Sequence, residues 1–162
     1  MRHATTLLSC TQEGATVTLH TDAAPIRLLA LTPEILRIRA GFTNKGAFRE
    51  ASYSLVTTAW SDELDDYMGE KRKRLEPSPL TLRDEEADSP TVTVEGERLR
   101  IEIDRDPFRL RVFDSDGSLL HADLIDRGYR LDRNHRRIHT SEIAAGDHFY
   151  GCLLYTSDAA DE

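Results

Sequence analysis

Alternation of apolar and polar side chains with a period of two dominates this chain, and it predicts β-strands rather than helices. Within residues 15–20, Val17 and Leu19 share one face, while threonines and a histidine occupy the other. Residues 108–113 alternate in the same way, with three apolar side chains opposed to Arg109 and Arg111. Similar but less regular patterns predict further strands at 26–31, 35–40, 53–60, 91–95, 99–103, 118–121, 129–131 and 136–142. The pattern as a whole indicates an all-β protein.

Turn residues separate these predicted strands. Gly96 and Glu97 join two alternating runs as a hairpin, and Asp106 with Pro107 interrupts the chain before the next run. Many short strands separated by turns are typical of an antiparallel sandwich or barrel. Residues 61–90 are the exception, because they are rich in charge and proline and predict a polar insertion that is helical or disordered.

Composition narrows the function. The chain has 162 residues and a formal net charge of −8, which suits one acidic domain and argues against a nucleic-acid partner. No apolar run approaches the roughly 18 residues that span a bilayer. The segment from Leu7 to Cys10 resembles a lipoprotein processing site, but the apolar stretch before it is too short for a signal peptide. We therefore expect a short first strand here and a cytoplasmic location.

Two residue patterns resemble metal sites, but the sequence argues against both. His135 and His139 lie four residues apart with Glu142 three further on, but this segment has weak helical character, so the two imidazoles are not expected to share a face. Asp114, Asp116 and Gly117 resemble the start of a calcium loop that lacks its later ligands, so we interpret them as a hairpin turn.

Other polar groups are interpreted in the same way. The carboxylate pairs Asp104 with Asp106 and Asp123 with Asp126 are interpreted as turn residues rather than acid–base pairs. We expect His20, His121 and His148 to be ordinary residues without a partner, and the basic run 71–74 to balance the acidic residues before it. We therefore assign no catalytic, cofactor-binding or metal-ligating residue to this chain.

Two segments and the stretch between them carry a family resemblance. Residues 31–39 read LTPEILRIR, residues 146–151 read GDHFYG, and residues 92–113 contain a strand-turn-strand pattern followed by a run over 106–114. In this order and spacing they resemble the N-terminal region of glycoside hydrolase family 31, the α-glucosidase and α-xylosidase family. The resemblance covers about residues 15–151.

The resemblance implies a galactose-mutarotase-like β-sandwich, here incomplete, that precedes a (β/α)₈ barrel. In that family the barrel supplies an aspartate nucleophile and an aspartate acid/base, which hydrolyse α-glycosidic bonds with retention. No catalytic residue of the family maps onto this chain. The expected function is therefore a non-catalytic part of an α-glycosidase that acts on α-glucosides or α-xylosides, with the barrel as its intramolecular partner and no cofactor.

The last eleven residues depart from this family pattern. After Gly151 the family continues with a glycine–glutamate motif, whereas residues 152–162 read CLLYTSDAADE and resemble a translated sequencing adaptor. We therefore expect one partial sandwich domain over 1–151 and a non-native tail over 152–162.

Three alternative functions stay open at this stage. A stand-alone carbohydrate-binding sandwich would use aromatic side chains as stacking platforms, the candidates being Phe42, Phe48, Tyr53, Trp60 and Tyr67. A mutarotase-like epimerase would share the sandwich fold, although no suitable histidine and glutamate pair is evident. A protein-interaction module is favoured only by the charged insertion at 61–90.

Overall fold

The computed structural model describes residues 1–42, 55–84 and 89–146. The strands are β1 (Arg2–His3), β2 (Leu7–Glu13), β3 (Thr16–Thr21), β4 (Pro25–Thr32), β5 (Ile35–Ala40), β6 (Thr57–Thr58), β7 (Lys73–Arg74), β8 (Thr81–Arg83), β9 (Thr91–Glu95), β10 (Leu99–Arg105), β11 (Phe108–Asp114), β12 (Leu119–Ala122), β13 (Tyr129–Leu131) and β14 (Arg137–His139). Helical structure in the described part comprises α1 (Asp65–Met68) and a 3₁₀ turn (Gly69–Lys71). Within those ranges no helix is long and apolar enough to cross a membrane.

Two antiparallel sheets form the body of the fold. One contains four strands in the order β2-β3-β4-β5, and the other contains five in the order β12-β11-β10-β9-β8. Every strand in both sheets pairs antiparallel with its neighbours. Two smaller sheets complete the described structure: β1-β13-β14, and a parallel pair formed by β6 and β7.

The core lies between the inner faces of the two main sheets. Leu19 pairs with Ile26 in the four-stranded sheet, and Ile101 lies between Val94 and Val112 in the five-stranded sheet. These side chains belong to one continuous buried cluster. Because inward residues alternate with polar outward ones, the period-two pattern places a complete apolar face on each sheet. The fold is an all-β antiparallel sandwich, which is one of the two architectures that the pattern indicates and the one that the family resemblance implies.

Most predicted strands are confirmed within one or two residues. The segments 35–40, 91–95 and 129–131 coincide with observed strands, and Asp106 with Pro107 forms the turn between β10 and β11. Of the predicted strand at 53–60, residues 53 and 54 lie outside the described part, and the rest contains a strand only at Thr57–Thr58.

The prediction of a helical insertion is confirmed in the first half of 61–90, where α1 and the 3₁₀ turn lie, but the second half is neither helical nor disordered where it is described. This second half supplies β8 to the five-stranded sheet, and Leu80 is 3% exposed in the core. The side chain of Gln12 on β2 donates to the Leu80 carbonyl at 2.7 Å and accepts from the Leu82 amide at 2.9 Å. This tertiary contact satisfies two backbone groups of the segment, so a stretch with little strand pattern of its own is held against the sandwich.

Candidate functional site

Three side chains that could share a ligand meet where β12 ends, beside the end of β14. The Nε2 atom of His121 lies 3.0 Å from Oδ1 of Asp123, and the Nε2 atom of His139 lies 2.8 Å from the same oxygen. The two imidazole centroids are 5.4 Å apart. Both rings therefore direct a nitrogen at one carboxylate oxygen.

Strand pairing brings these residues together. His121 and Asp123 are two positions apart along an extended chain, so their side chains leave the same face. Asp123 forms an isolated antiparallel bridge with Ser141, two residues beyond His139 at the end of β14. The cluster thus joins the edge of the five-stranded sheet to the three-stranded sheet.

Asp123 is fully buried, with 0% of its surface exposed. Burial by itself raises the pKa of this carboxyl group, but the hydrogen bonds and charges of His121 and His139 outweigh it and hold the pKa below its ordinary value. The second oxygen, Oδ2, accepts the Leu110 backbone amide at 3.3 Å. Gly128 passes so close that a Cβ there would lie 3.1 Å from the Asp123 carboxyl group.

Tyr129 forms the apolar wall of the cluster. Its ring stacks on His139 with centroids 4.7 Å apart and an interplanar angle of 24°. Burial, followed by the charge of Asp123, raises the pKa of the Tyr129 hydroxyl well above its ordinary value. The tyrosine therefore stays neutral and fixes the plane of the imidazole beside it.

The structure corrects the sequence-based interpretation of these histidines. His121 is not a residue without a partner, and His20 also has one, since its Nε2 lies 3.0 Å from the Thr11 hydroxyl. His139 joins His121 rather than His135, which lies exposed in a turn with a φ of 60°. His148 lies outside the described residues.

The carboxylates that the sequence analysis interpreted as turn residues occupy different environments in the structure. Asp123 is a buried acceptor rather than a turn residue, whereas Asp126 is exposed in a turn with a φ of 60°. Asp104 accepts from Arg111 at 2.7 Å on the five-stranded sheet, and Asp106 is exposed. Glu142 accepts from Arg109 at 2.6 Å. None of these contacts forms a pair of carboxylates poised for acid–base chemistry.

Two turn and charge interpretations agree with the observed contacts. Asp114 Oδ1 accepts the amides of Asp116 at 2.9 Å and Ser118 at 2.8 Å, which builds the hairpin turn between β11 and β12. In the basic run, Arg72 pairs with Asp62 at 3.0 Å, and each side chain is only 3% exposed. The run does balance the preceding acidic residues, but Arg72 does so in a buried pair rather than on a solvated face.

A groove of about 400 Å³ lies on the outer face of the four-stranded sheet. Its lining includes Thr16, Arg39, Trp60 and Pro77. The guanidinium of Arg37 lies 3.7 Å from the centroid of the Trp60 ring. Of the other predicted platforms, Phe42 is buried in the core at 5% exposure and Tyr67 is 78% exposed. Phe48 and Tyr53 lie outside the described residues.

One weak sequence signal for the histidine cluster exists in retrospect. The spacing His121-x-Asp123 puts an imidazole and a carboxylate on one face of a strand. The contribution of His139 depends on the pairing of β13 with β14 and on the Asp123–Ser141 bridge. No local pattern specifies either contact.

The fold and its site define a class: an antiparallel β-sandwich domain with a buried His–Asp–His cluster and, in the described ranges, no (β/α)₈ barrel. The family model of the glycosyl hydrolase 31 N-terminal galactose mutarotase-like domain matches residues 25–152. The chain belongs to this family, as the sequence motifs predict, although residues 147–151 of the second motif lie outside the described structure.

A solved structure gives the same fold. The GH31 dextranase of Flavobacterium johnsoniae superposes with a TM-score of 0.58 at 20% sequence identity, and the match covers 82% of this chain and 14% of the dextranase. The cycloalternan-forming enzyme of Listeria monocytogenes gives a TM-score of 0.48 at 21% identity, covering 76% of this chain and 10% of that enzyme. No curated protein matches the sequence. The chain therefore spans only a small part of the length of these enzymes.

Proposed function

We propose that this chain is the non-catalytic N-terminal sandwich of a retaining α-glycosidase, and that its outer surfaces support a catalytic barrel in the intact enzyme. The observation that carries the proposal is the family match over residues 25–152, together with the two-sheet sandwich. The dextranase with the same fold supports an α-linked glucan or related glycoside as the substrate class.

The chemistry of the described residues favours a structural role beside the catalytic barrel over a catalytic role of this chain. Retaining hydrolysis needs two carboxyl groups about 5–5.5 Å apart on either side of the scissile bond. The buried carboxylate of Asp123 is enclosed by two imidazoles and a backbone amide, and that of Asp62 is paired with Arg72. We propose that α-glucosides or α-xylosides are hydrolysed by aspartates of the barrel.

Activity assays on two forms test this proposal. The 162-residue chain is expected to give no turnover of p-nitrophenyl α-glucoside or α-xyloside, whereas the product of the full-length gene is expected to hydrolyse one of them. Nuclear magnetic resonance of the released sugar should show the α-anomer first. Turnover by the chain alone, or a full-length gene that encodes no barrel, would overturn the proposal.

The domain boundary is part of the same proposal. Residues 1–151 are proposed as enzyme sequence and residues 152–162 as an adaptor-derived tail, which lies outside the described structure. Resequencing the source DNA through the codon of Gly151 tests this directly. A continuation into a glycine–glutamate motif supports it, and an independently assembled gene that still encodes CLLYTSDAADE contradicts it.

A second candidate function is sugar binding by the sandwich itself. The groove beside Trp60 favours it, because an aromatic ring with neighbouring polar groups suits a pyranose. Calorimetry with maltose, isomaltotriose and xyloglucan oligosaccharides tests it. Binding that is lost in Trp60→Ala but kept in Tyr67→Ala would support the groove, and the absence of heat at millimolar sugar would remove this candidate.

A further inference from the structure

We propose that His121, Asp123 and His139 form a binding site for a single Zn²⁺ ion, with Nε2 of each histidine and one carboxylate oxygen of the aspartate as ligands. This inference is independent of the proposed function. It starts from the ligand atoms: one from each residue, all within 4.8 Å of one another. Two imidazole nitrogens and one carboxylate oxygen are a common protein ligand set for zinc.

The distances agree with a site that needs only local adjustment. With zinc–ligand bonds of about 2.0–2.2 Å, tetrahedral ligand atoms lie about 3.3 Å apart. The two Nε2–Oδ1 separations are 3.0 and 2.8 Å, slightly shorter than that value. The limit of 4.8 Å on the ligand separations exceeds the tetrahedral value, so an ion binds when the two rings turn toward each other and slightly away from Oδ1. The side chain of His139 is 43% exposed and that of His121 is 28% exposed, so water can reach the site and occupy a fourth position.

The surroundings of the three residues hold them in place. Oδ2 of Asp123 is held by the Leu110 amide, which leaves Oδ1 to face the imidazoles. Tyr129 stacks on His139 and sets its ring plane. Such supporting contacts orient metal ligands and contribute to affinity. When Nε2 binds the ion, the remaining ring proton of each neutral histidine resides on Nδ1.

The negative charge of Asp123 favours binding of a cation at this site. Asp123 is a fully buried carboxylate, and a buried charge is costly unless it is paired. A divalent ion supplies two positive charges at this position. The mixed nitrogen and oxygen ligands favour zinc over magnesium, which prefers oxygen ligands and retains its water.

Calorimetry on the chelator-stripped chain tests the proposal, with ZnCl₂ as the probe and MgCl₂ as the comparison. We expect one Zn²⁺ per chain with micromolar affinity and at least about hundredfold weaker Mg²⁺ binding. His121→Gln and His139→Gln should each weaken Zn²⁺ binding at least about tenfold. His135→Gln, which removes an exposed histidine four residues from His139, should bind like the wild type.

A second measurement covers the possibility that a variant misfolds. Co²⁺ bound to the unaltered chain should give visible absorption bands of a low-coordinate site, and Zn²⁺ should displace them. Histidine ring proton shifts in the wild type should move for two of the six histidines on Zn²⁺ addition. Absence of saturable Zn²⁺ binding, equal affinity for Mg²⁺, or unchanged binding in both folded ligand variants would overturn the proposal.

Discussion

Replacing Asp123 by asparagine removes the charge at the centre of the histidine cluster while keeping the shape of the side chain. The carboxylate accepts three hydrogen bonds, from His121 at 3.0 Å, from His139 at 2.8 Å and from the Leu110 amide at 3.3 Å. Asparagine retains one acceptor oxygen, so it must present its NH₂ group to at least one former donor. If that donor is the buried Leu110 amide, both N–H groups are left unsatisfied; if it is an imidazole, the ring must change tautomer to accept at Nε2, and the hydrogen bond to a charged group is lost.

The expected cost follows from these contacts. A hydrogen bond to a charged group contributes about 1.5–3 kcal/mol, and a buried group left without a partner costs about 1–3 kcal/mol. Both imidazoles are partly exposed and can bind water instead, which lowers the cost of losing them. We therefore expect Asp123→Asn to reduce the free energy of unfolding by about 2–4 kcal/mol. At about 2–4 °C per kcal/mol for a chain of this size, the melting temperature should fall by roughly 5–15 °C.

Urea and thermal unfolding followed by circular dichroism, with EDTA present to exclude metal, measure this change. Asp126→Asn is the matched control, because Asp126 is exposed and asparagine tolerates its positive φ of 60°. The control should stay within about 0.5 kcal/mol of the wild type. If the free energy of unfolding of Asp123→Asn also stays within about 0.5 kcal/mol of the wild type, the cluster contributes no net stability and the reasoning fails.

The same variant gives a pH dependence with a definite sign. Because the folded pKa of Asp123 is lowered below the ordinary value of 3.8, the ionised carboxylate stabilises the fold above that pH. This contribution is lost as the pH falls through the folded pKa. The stability difference between wild type and Asp123→Asn should therefore be full at pH 6 and shrink below about pH 4. A difference that grows on acidification would contradict the assignment.

Three further predictions concern other residues. Gly128→Ala should cost about 1–3 kcal/mol in urea unfolding, because its Cβ would press on the buried carboxyl group 3.1 Å away. Ile101→Ala should cost about 2–5 kcal/mol by opening a cavity in the core, whereas Ile35→Ala, at 54% exposure, should change stability by less than about 0.5 kcal/mol. Since burial raises the pKa of the Cys10 thiol to about 11, a Cys152→Ser chain should react with iodoacetamide at pH 8 about a hundredfold more slowly when folded than in urea. Equal rates would contradict the burial of Cys10.

Strands were predicted correctly where the alternation of apolar and polar residues was sufficient to identify them. In β10 the buried residues Leu99, Ile101 and Ile103 alternate with polar ones, so the local sequence specifies both the strand and its inner face. The strand β8 could not be recognised in this way. Three residues carry too little periodicity, and the Gln12 contacts that satisfy its backbone come from about 70 positions earlier in the chain.

The candidate site, too, is predicted only in part by the local sequence. Local spacing places His121 and Asp123 on one face, but it assigns neither of them a partner. Asp123 and Asp126 are both acidic residues next to a glycine-containing turn, and the tertiary structure buries Asp123 beside Gly128 and the two imidazoles while it leaves Asp126 in solvent.

By itself, the amino-acid sequence determined that this chain is acidic and all-β, and its motifs determined the glycosyl hydrolase 31 family, which implies the sandwich. Both properties are carried by local alternation and by residues close together in the chain. Only the tertiary structure decided that His121, Asp123 and His139 converge, since that meeting depends on the register of β14 against β13 and on the Asp123–Ser141 bridge. Register arises from contacts between segments distant in sequence, and a short pattern contains no information about them.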